Sequence, residues 1–127
     1  MSFSTVINCM DGRVQQPVNQ YLQVRFGAEN VDTITEAGPN GILAKQEDHT
    51  TIQSIFNRIE ISVNAHESKG IAIVGHHDCA GNPSSKEEQI RHIRESVRFL
   101  RNEYPQMDMI GIWVDEEWKV HEISIGK

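Results

Sequence analysis

Two cysteines and a histidine stand where apolar runs give way to turns. Cys9 closes the run Phe3-Ser4-Thr5-Val6-Ile7-Asn8, and His76 and Cys79 follow Ile71-Ala72-Ile73-Val74. Two thiolates and an imidazole are the donors Zn²⁺ prefers, with Zn–S near about 2.3 Å and Zn–N near about 2.0 Å. Three protein ligands leave a fourth position for water, the pattern of catalytic rather than structural zinc. The spacing His76-x-x-Cys79 lets one short turn supply two ligands, with Gly75 and Gly81 available to bend it. His77 competes as a ligand, but a single residue separates it from Cys79, which makes shared tetrahedral coordination harder. The alternative for both cysteines is burial as small hydrophobes, the commonest fate of a free thiol.

These residues need elements to position them. Phe3 to Asn8 is β-prone and is followed by the turn Met10-Asp11-Gly12-Arg13. Pro17 suits a first helical turn, and Val18, Tyr21, Leu22 and Phe26 recur at helical spacing until Gly27. Val31 to Glu36 alternates as a second strand and ends in the loop Ala37-Gly38-Pro39-Asn40-Gly41. Ile52, Ile55, Phe56, Ile59 and Val63 mark a helix face from about Thr50 to His66. Ile71 to Val74 is continuously apolar, as in a strand covered on both faces. Ser84 with Glu87, or Ser85 with Glu88, offers a capping box for a third helix whose face is Ile90, Ile93, Val97, Leu100 and Tyr104. Pro105 closes it, Met107 to Val114 forms a further strand, and Lys119 to Ile125 reads as an edge strand.

Strands alternating with helices predict an α/β fold in three αβα layers around a mostly parallel sheet. In such sheets ligands sit beyond the carboxyl ends of the strands, where the strand order reverses. In the order 2-1-3-4, the first and third strands are neighbours about 4.8 Å apart. Topology alone then brings Cys9, His76 and Cys79 to one crevice. The chain length fits one domain spanning residues 1–127.

Cys9-Met10-Asp11-Gly12-Arg13 matches the C-x-D-x-R motif of the β-class carbonic anhydrases, and Gly75-His76-His77-Asp78-Cys79-Ala80-Gly81 resembles their G-H-x-x-C-G-G segment. The resemblance covers about residues 3 to 115 and rests on both motifs at this separation. It implies a zinc lyase hydrating CO₂ to bicarbonate through zinc-bound hydroxide, with Cys9, His76 and Cys79 as ligands. It also implies that Asp11 and Arg13 form a dyad beside the open position: Arg13 can clamp Asp11 in two places and keep it ionised. An Asp at this position in the family can instead take the fourth zinc site when the dyad opens. The alternatives are a zinc-binding module of the same family without significant hydration, or a hydrolase of a CO₂-like molecule such as carbonyl sulfide or carbon disulfide. A phosphatase-type cysteine loop needs five residues between Cys and Arg, whereas Cys9 and Arg13 are separated by three.

Taken without the resemblance, Asp11-Gly12 is turn chemistry and Arg13 a surface residue. His77 is a proton shuttle or a solvated loop residue. Asp78 is an acceptor orienting a ligand histidine, or a loop residue in water. His49, His66, His92 and His121 fall on predicted surfaces, and Trp113 and Trp118 read as packing or interface residues. The chain departs from the family at Thr35-Glu36-Ala37-Gly38-Pro39-Asn40, where an Arg-Asn-Ala-Gly-Asn type run is common, and at Ala80. The helical arm that precedes the family's first motif has no counterpart before Cys9, so an expected homo-oligomer, a dimer or dimer of dimers, must build its interface differently.

Composition sets the partners. The net charge is −6 with 24% charged residues and no basic run, which excludes a phosphate-tracking nucleic-acid binder. No apolar stretch approaches the roughly 20 residues of a membrane span. Met1 to Thr5 lacks the basic and apolar regions of a secretory signal, so the expected location is cytoplasmic and the expected substrate a small molecule, CO₂, bicarbonate or an analogue.

Overall fold

A computed structural model describes residues 1–126. The chain runs β1 (Phe3–Cys9), α1 (Gln15–Arg25), β2 (Asn30–Glu36), α2 (Pro39–Lys45), α3 (His49–Glu60), β3 (Gly70–His76), α4 (Lys86–Glu103), β4 (Asp108–Val114) and β5 (Val120–Ile123). The sheet order is β2-β1-β3-β4-β5, parallel except for the antiparallel β4–β5 pair. This is the expected α/β sheet, with the C-terminal segment as its edge strand.

The period-two alternation of β1 divides the core. Ile7 joins Ile34, Ile55, Ile73 and Leu100 beneath α2, α3 and α4. Val6 joins Val18, Leu22, Val74 and Ile112 on the side covered by α1. Every residue of β3 is buried, as its continuous apolar run requires when helices cover both faces. The β1–β3 register sets Ile7 beside Ile73, so β1 and β3 end at the same end of the sheet and release there the turns that follow Cys9 and His76.

Three expectations about the elements change. Residues 37–41, read as a loop, contain the start of α2, because Pro39 sits in the first turn where no N–H is needed and Gly38 adopts the left-handed conformation before it. The helix expected to reach His66 is regular only to Glu60 and continues through Ile61–Ala65 as a π-helical turn. There Ser62 leaves the apolar face and joins Thr5 and Asp32 in hydrogen bonds of 2.6 Å each. His92, expected at a surface, is buried on α4 because it faces a polar cluster rather than water. Of the two capping boxes, Ser85 is the cap, its hydroxyl accepting from the Glu88 N–H. Among the described residues no helix is long and apolar enough to cross a membrane.

Candidate metal centre

Cys9 ends β1, His76 ends β3, and Cys79 lies one turn later. All three are buried, and their donor atoms lie within 4.8 Å of one another. The two sulfurs are 3.8 Å apart, far beyond the S–S bond of about 2 Å in a disulfide. Two sulfurs held at about 2.3 Å by one tetrahedral ion stand at about this separation. The expected ligand triad is therefore assembled by the sheet topology.

The imidazole is aimed. His76 Nδ1 donates to the His77 carbonyl at 2.7 Å, which leaves Nε2 facing the sulfurs, buried and without a hydrogen-bond partner. An orphaned ring nitrogen beside two thiols in a buried pocket is a costly arrangement for a bare protein and a fitting one for a metal ligand. The donor set fits zinc.

Charge is already prepared. The hydrogen bond from Cys79 lowers the Cys9 thiol against the effect of burial, and His76 and the N–H groups of Asp11 and Gly38 lower it further. The same bond, with burial, raises Cys79. The pair thus titrates as a unit, the contact between its sulfurs pushing one thiol down and the other up. Burial opposes a charged His76, but the neighbouring Cys9 thiol group and the His77 carbonyl together outweigh that and raise it.

Asp11 is not one of the clustered donors; its carboxylate is held by Arg13. Arg13 Nε donates to Oδ1 at 3.0 Å and Nη2 to Oδ2 at 2.7 Å, while the Arg13 backbone N–H adds a third bond at 2.9 Å. These bonds hold the carboxyl down at about 2, with the Arg13 side chain as the largest cause. Asp78 also serves Arg13, through its carboxylate at 3.3 Å and its carbonyl at 3.1 Å. It does not orient His76; the backbone carbonyl of His77 does. His77 is exposed.

Several supporting residues carry no motif that marks them. Gln89 of α4 donates to the carbonyls of His76 at 2.8 Å and Asn82 at 3.1 Å, tying both ends of the ligand turn to one helix. Asn40 of α2 donates to the Gln89 side-chain oxygen at 3.1 Å, and Asn82 meets His92 Nδ1 at 3.0 Å. Polar residues on an otherwise apolar helix face were the available sign. Gly38 and Gly81 let the loops after β2 and β3 touch backbone to backbone: a Cβ on Gly38 would lie 2.7 Å from the Gly81 carbonyl carbon, and one on Gly81 would overlap the Ala37 carbonyl. Gly38 has φ +67°, which glycine adopts without strain. Trp118, read as a packing or interface residue, packs against the core cluster on the α1 side and also lies over Arg13, with its ring centroid 4.3 Å from Cζ.

A family model described as "Putative carbonic anhydrase" matches residues 1–124. No curated protein matches the sequence. Among solved structures, the β-carbonic anhydrase isoform I of the protozoan Trichomonas vaginalis is similar with a TM-score of 0.62 and 19% identity, covering 98% of this chain and 83% of that one. Tetrameric β-carbonic anhydrases of the ascomycete Sordaria macrospora give 0.63 and 14%, covering 100% and 83%. The carbonic anhydrase of Glaciozyma antarctica gives 0.59 and 18%, covering 94% and 81%. At these identities the likeness is one of fold.

Proposed function

Because the chain belongs to this carbonic anhydrase family, we propose that it is a zinc lyase that hydrates CO₂ to bicarbonate, with zinc held by Cys9, His76 and Cys79. The observation that carries this reading is the buried Cys9–His76–Cys79 cluster, its Nε2 unpartnered, beside an Asp11–Arg13 ion pair. When bound, zinc supplies the Lewis acidity that makes water a nucleophile near neutral pH.

The chain's residues do the rest. Asp11 stays ionised down to about pH 2, so its carboxylate is always an acceptor at working pH and can orient a reacting O–H. Arg13 fixes that carboxylate by two side-chain bonds and keeps it out of the ligand cluster. Gln89 and the His77 carbonyl hold the histidine ligand at its two polar ends, the backbone oxygen and Nδ1. Asp11 and Arg13 are thus the proposed catalytic pair, Asp11 acting on the reacting group and Arg13 on Asp11.

Two further parts belong to this reading. Thiolate ligands persist in a reducing compartment, which fits a cytoplasmic location. A homo-oligomer fits a sheet whose outer strands β2 and β5 each pair on one side only among the described residues, and the Sordaria relatives are tetrameric. Sedimentation at micromolar concentration tests the assembly, and a monomer alone would refute it.

Stopped-flow CO₂ hydration by protein carrying one zinc per chain tests the activity. Zinc-dependent hydration that disappears in Cys9→Ser supports the lyase. Full zinc occupancy without hydration refutes it and favours the zinc-binding module.

A further inference from the structure

The turn between β4 and β5 is built to hold one side chain in an unfavourable place. Trp118 sits in the left-handed region at φ +62°, where a hairpin turn would ordinarily carry Gly or Asn. A bulky residue persists there only when its surroundings over-determine it. Here they do. Asp115 Oδ1 accepts from the Glu117 N–H at 2.8 Å and the Lys119 N–H at 3.0 Å, and Oδ2 takes His121 Nε2 at 2.6 Å. The Trp118 N–H donates to the Asp115 carbonyl at 2.9 Å, and the Asp115 N–H to the Lys119 carbonyl at 3.1 Å.

The result of this strained turn is an indole face 4.3 Å from the Arg13 guanidinium carbon. Four of the five N–H donors of that guanidinium are engaged, two by the Asp11 carboxylate and two by Asp78. The guanidinium carbon sits over the Trp118 ring, a contact that lies outside these hydrogen bonds. The same ring lies 6.4 Å from both the His76 and His77 rings, at the rim of the ligand cluster.

We infer that Trp118 is a positioning residue: its ring locks the Arg13 guanidinium in the plane that clamps Asp11, and the Asp115 turn exists to present that ring. Its importance for turnover rests on the proposed lyase; the lock itself does not. Arg13 is therefore chiefly a clamp for Asp11, with four of its five N–H donors engaged.

The test is hydrogen exchange of the Arg13 Nε–H in the zinc-loaded protein, followed by NMR, with the signal assigned by its loss in Arg13→Lys. Trp118→Leu removes the ring, and Trp118→Gly removes it while suiting the left-handed backbone, so a folding defect in the first does not spoil the second. A lost cation–π contact of about 1 kcal/mol corresponds to about fivefold faster exchange in both variants. Trp118→Phe keeps an aromatic face and should stay near wild type. Exchange within about twofold of wild type in Trp118→Leu and Trp118→Gly, or a Phe variant as fast as Leu, would overturn the lock. CO₂ hydration measured on the same samples separates the two claims: no wild-type hydration refutes the lyase, while the exchange rates still decide the role of Trp118.

Discussion

Gln89 and His76 are joined across two elements: the Gln89 side-chain amide donates to the His76 backbone carbonyl at 2.8 Å, and also reaches the Asn82 carbonyl at 3.1 Å. One buried amide therefore fixes where the ligand turn begins and where it ends. Gln89→Leu should take a donor from the His76 carbonyl and the side-chain acceptor from the Asn40 amide, while the Asn82 carbonyl keeps the Ser84 N–H. A buried polar group that loses its partner costs about 1–3 kcal/mol, so the melting temperature should fall by several degrees. Zinc affinity should weaken about 10–100-fold, the usual effect of losing support behind a ligand. Chelator competition measures this, and unchanged affinity would show that the turn holds itself.

Gly81 and Ala80 make a contrasting pair. Ala80 is exposed, while a Cβ on Gly81 would overlap the Ala37 carbonyl. Gly81→Ala should destabilise by about 1–3 kcal/mol and lower zinc occupancy, because the backbone of the loop after β2 must retreat. Ala80→Gly should stay within about 0.5 kcal/mol of wild type. Denaturant midpoints and metal content decide both.

Arg13→Ala should keep zinc and lose activity, since the ligands are untouched while Asp11 loses its clamp. The expected fall in CO₂ hydration is about two to three decades, the scale of an electrostatic contact at a reacting centre. Asp11→Ala should also retain zinc and lose a comparable factor. The double variant should lose no more than either alone, because both act through one interaction. Activity within about threefold of wild type in Arg13→Ala would contradict the clamp.

The turn beneath Trp118 should be acid-labile. Asp115 is held down at about 2, chiefly by His121 and then by the Lys119 and Glu117 N–H groups. A carboxyl depressed in the folded state contributes stability that is complete above its ordinary value of 3.8 and is lost as pH falls through about 2. Wild type and Asp115→Asn should therefore lie farthest apart above about pH 4 and converge towards pH 2. Acid unfolding curves of the two proteins that run parallel would refute the coupling.

The strands and the meeting of Cys9, His76 and Cys79 were legible in the sequence because local rules and topology agree there. β3 is apolar from Ile71 to Val74, Cys9 and His76 end β1 and β3, and Cys79 follows His76 by one turn. What was not legible depends on contacts between distant segments. Asn40, Asn82, Gln89 and His92 are polar residues whose partners lie up to 49 positions away, so nothing local marks them as buried. α2 was hidden because Gly38-Pro39-Asn40-Gly41 carries turn residues, and only seven residues follow the left-handed Gly38 before the helix ends. Asp78 and Trp118 converge on Arg13 from 65 residues downstream and from the β4–β5 turn, a meeting that spacing cannot show.

The proposed zinc centre is tested most directly by zinc K-edge X-ray absorption of the purified protein, with metal content measured on the same sample. A site held by Cys9, His76 and Cys79 gives one zinc per chain with two sulfurs at about 2.3 Å and nitrogen or oxygen at about 2.0 Å. Cys79→Ser should drop the sulfur count or lose the metal, because a hydroxyl is a poor substitute for a thiolate. Zinc with no sulfur neighbours, or a wild-type spectrum and occupancy in Cys79→Ser, would contradict the assignment.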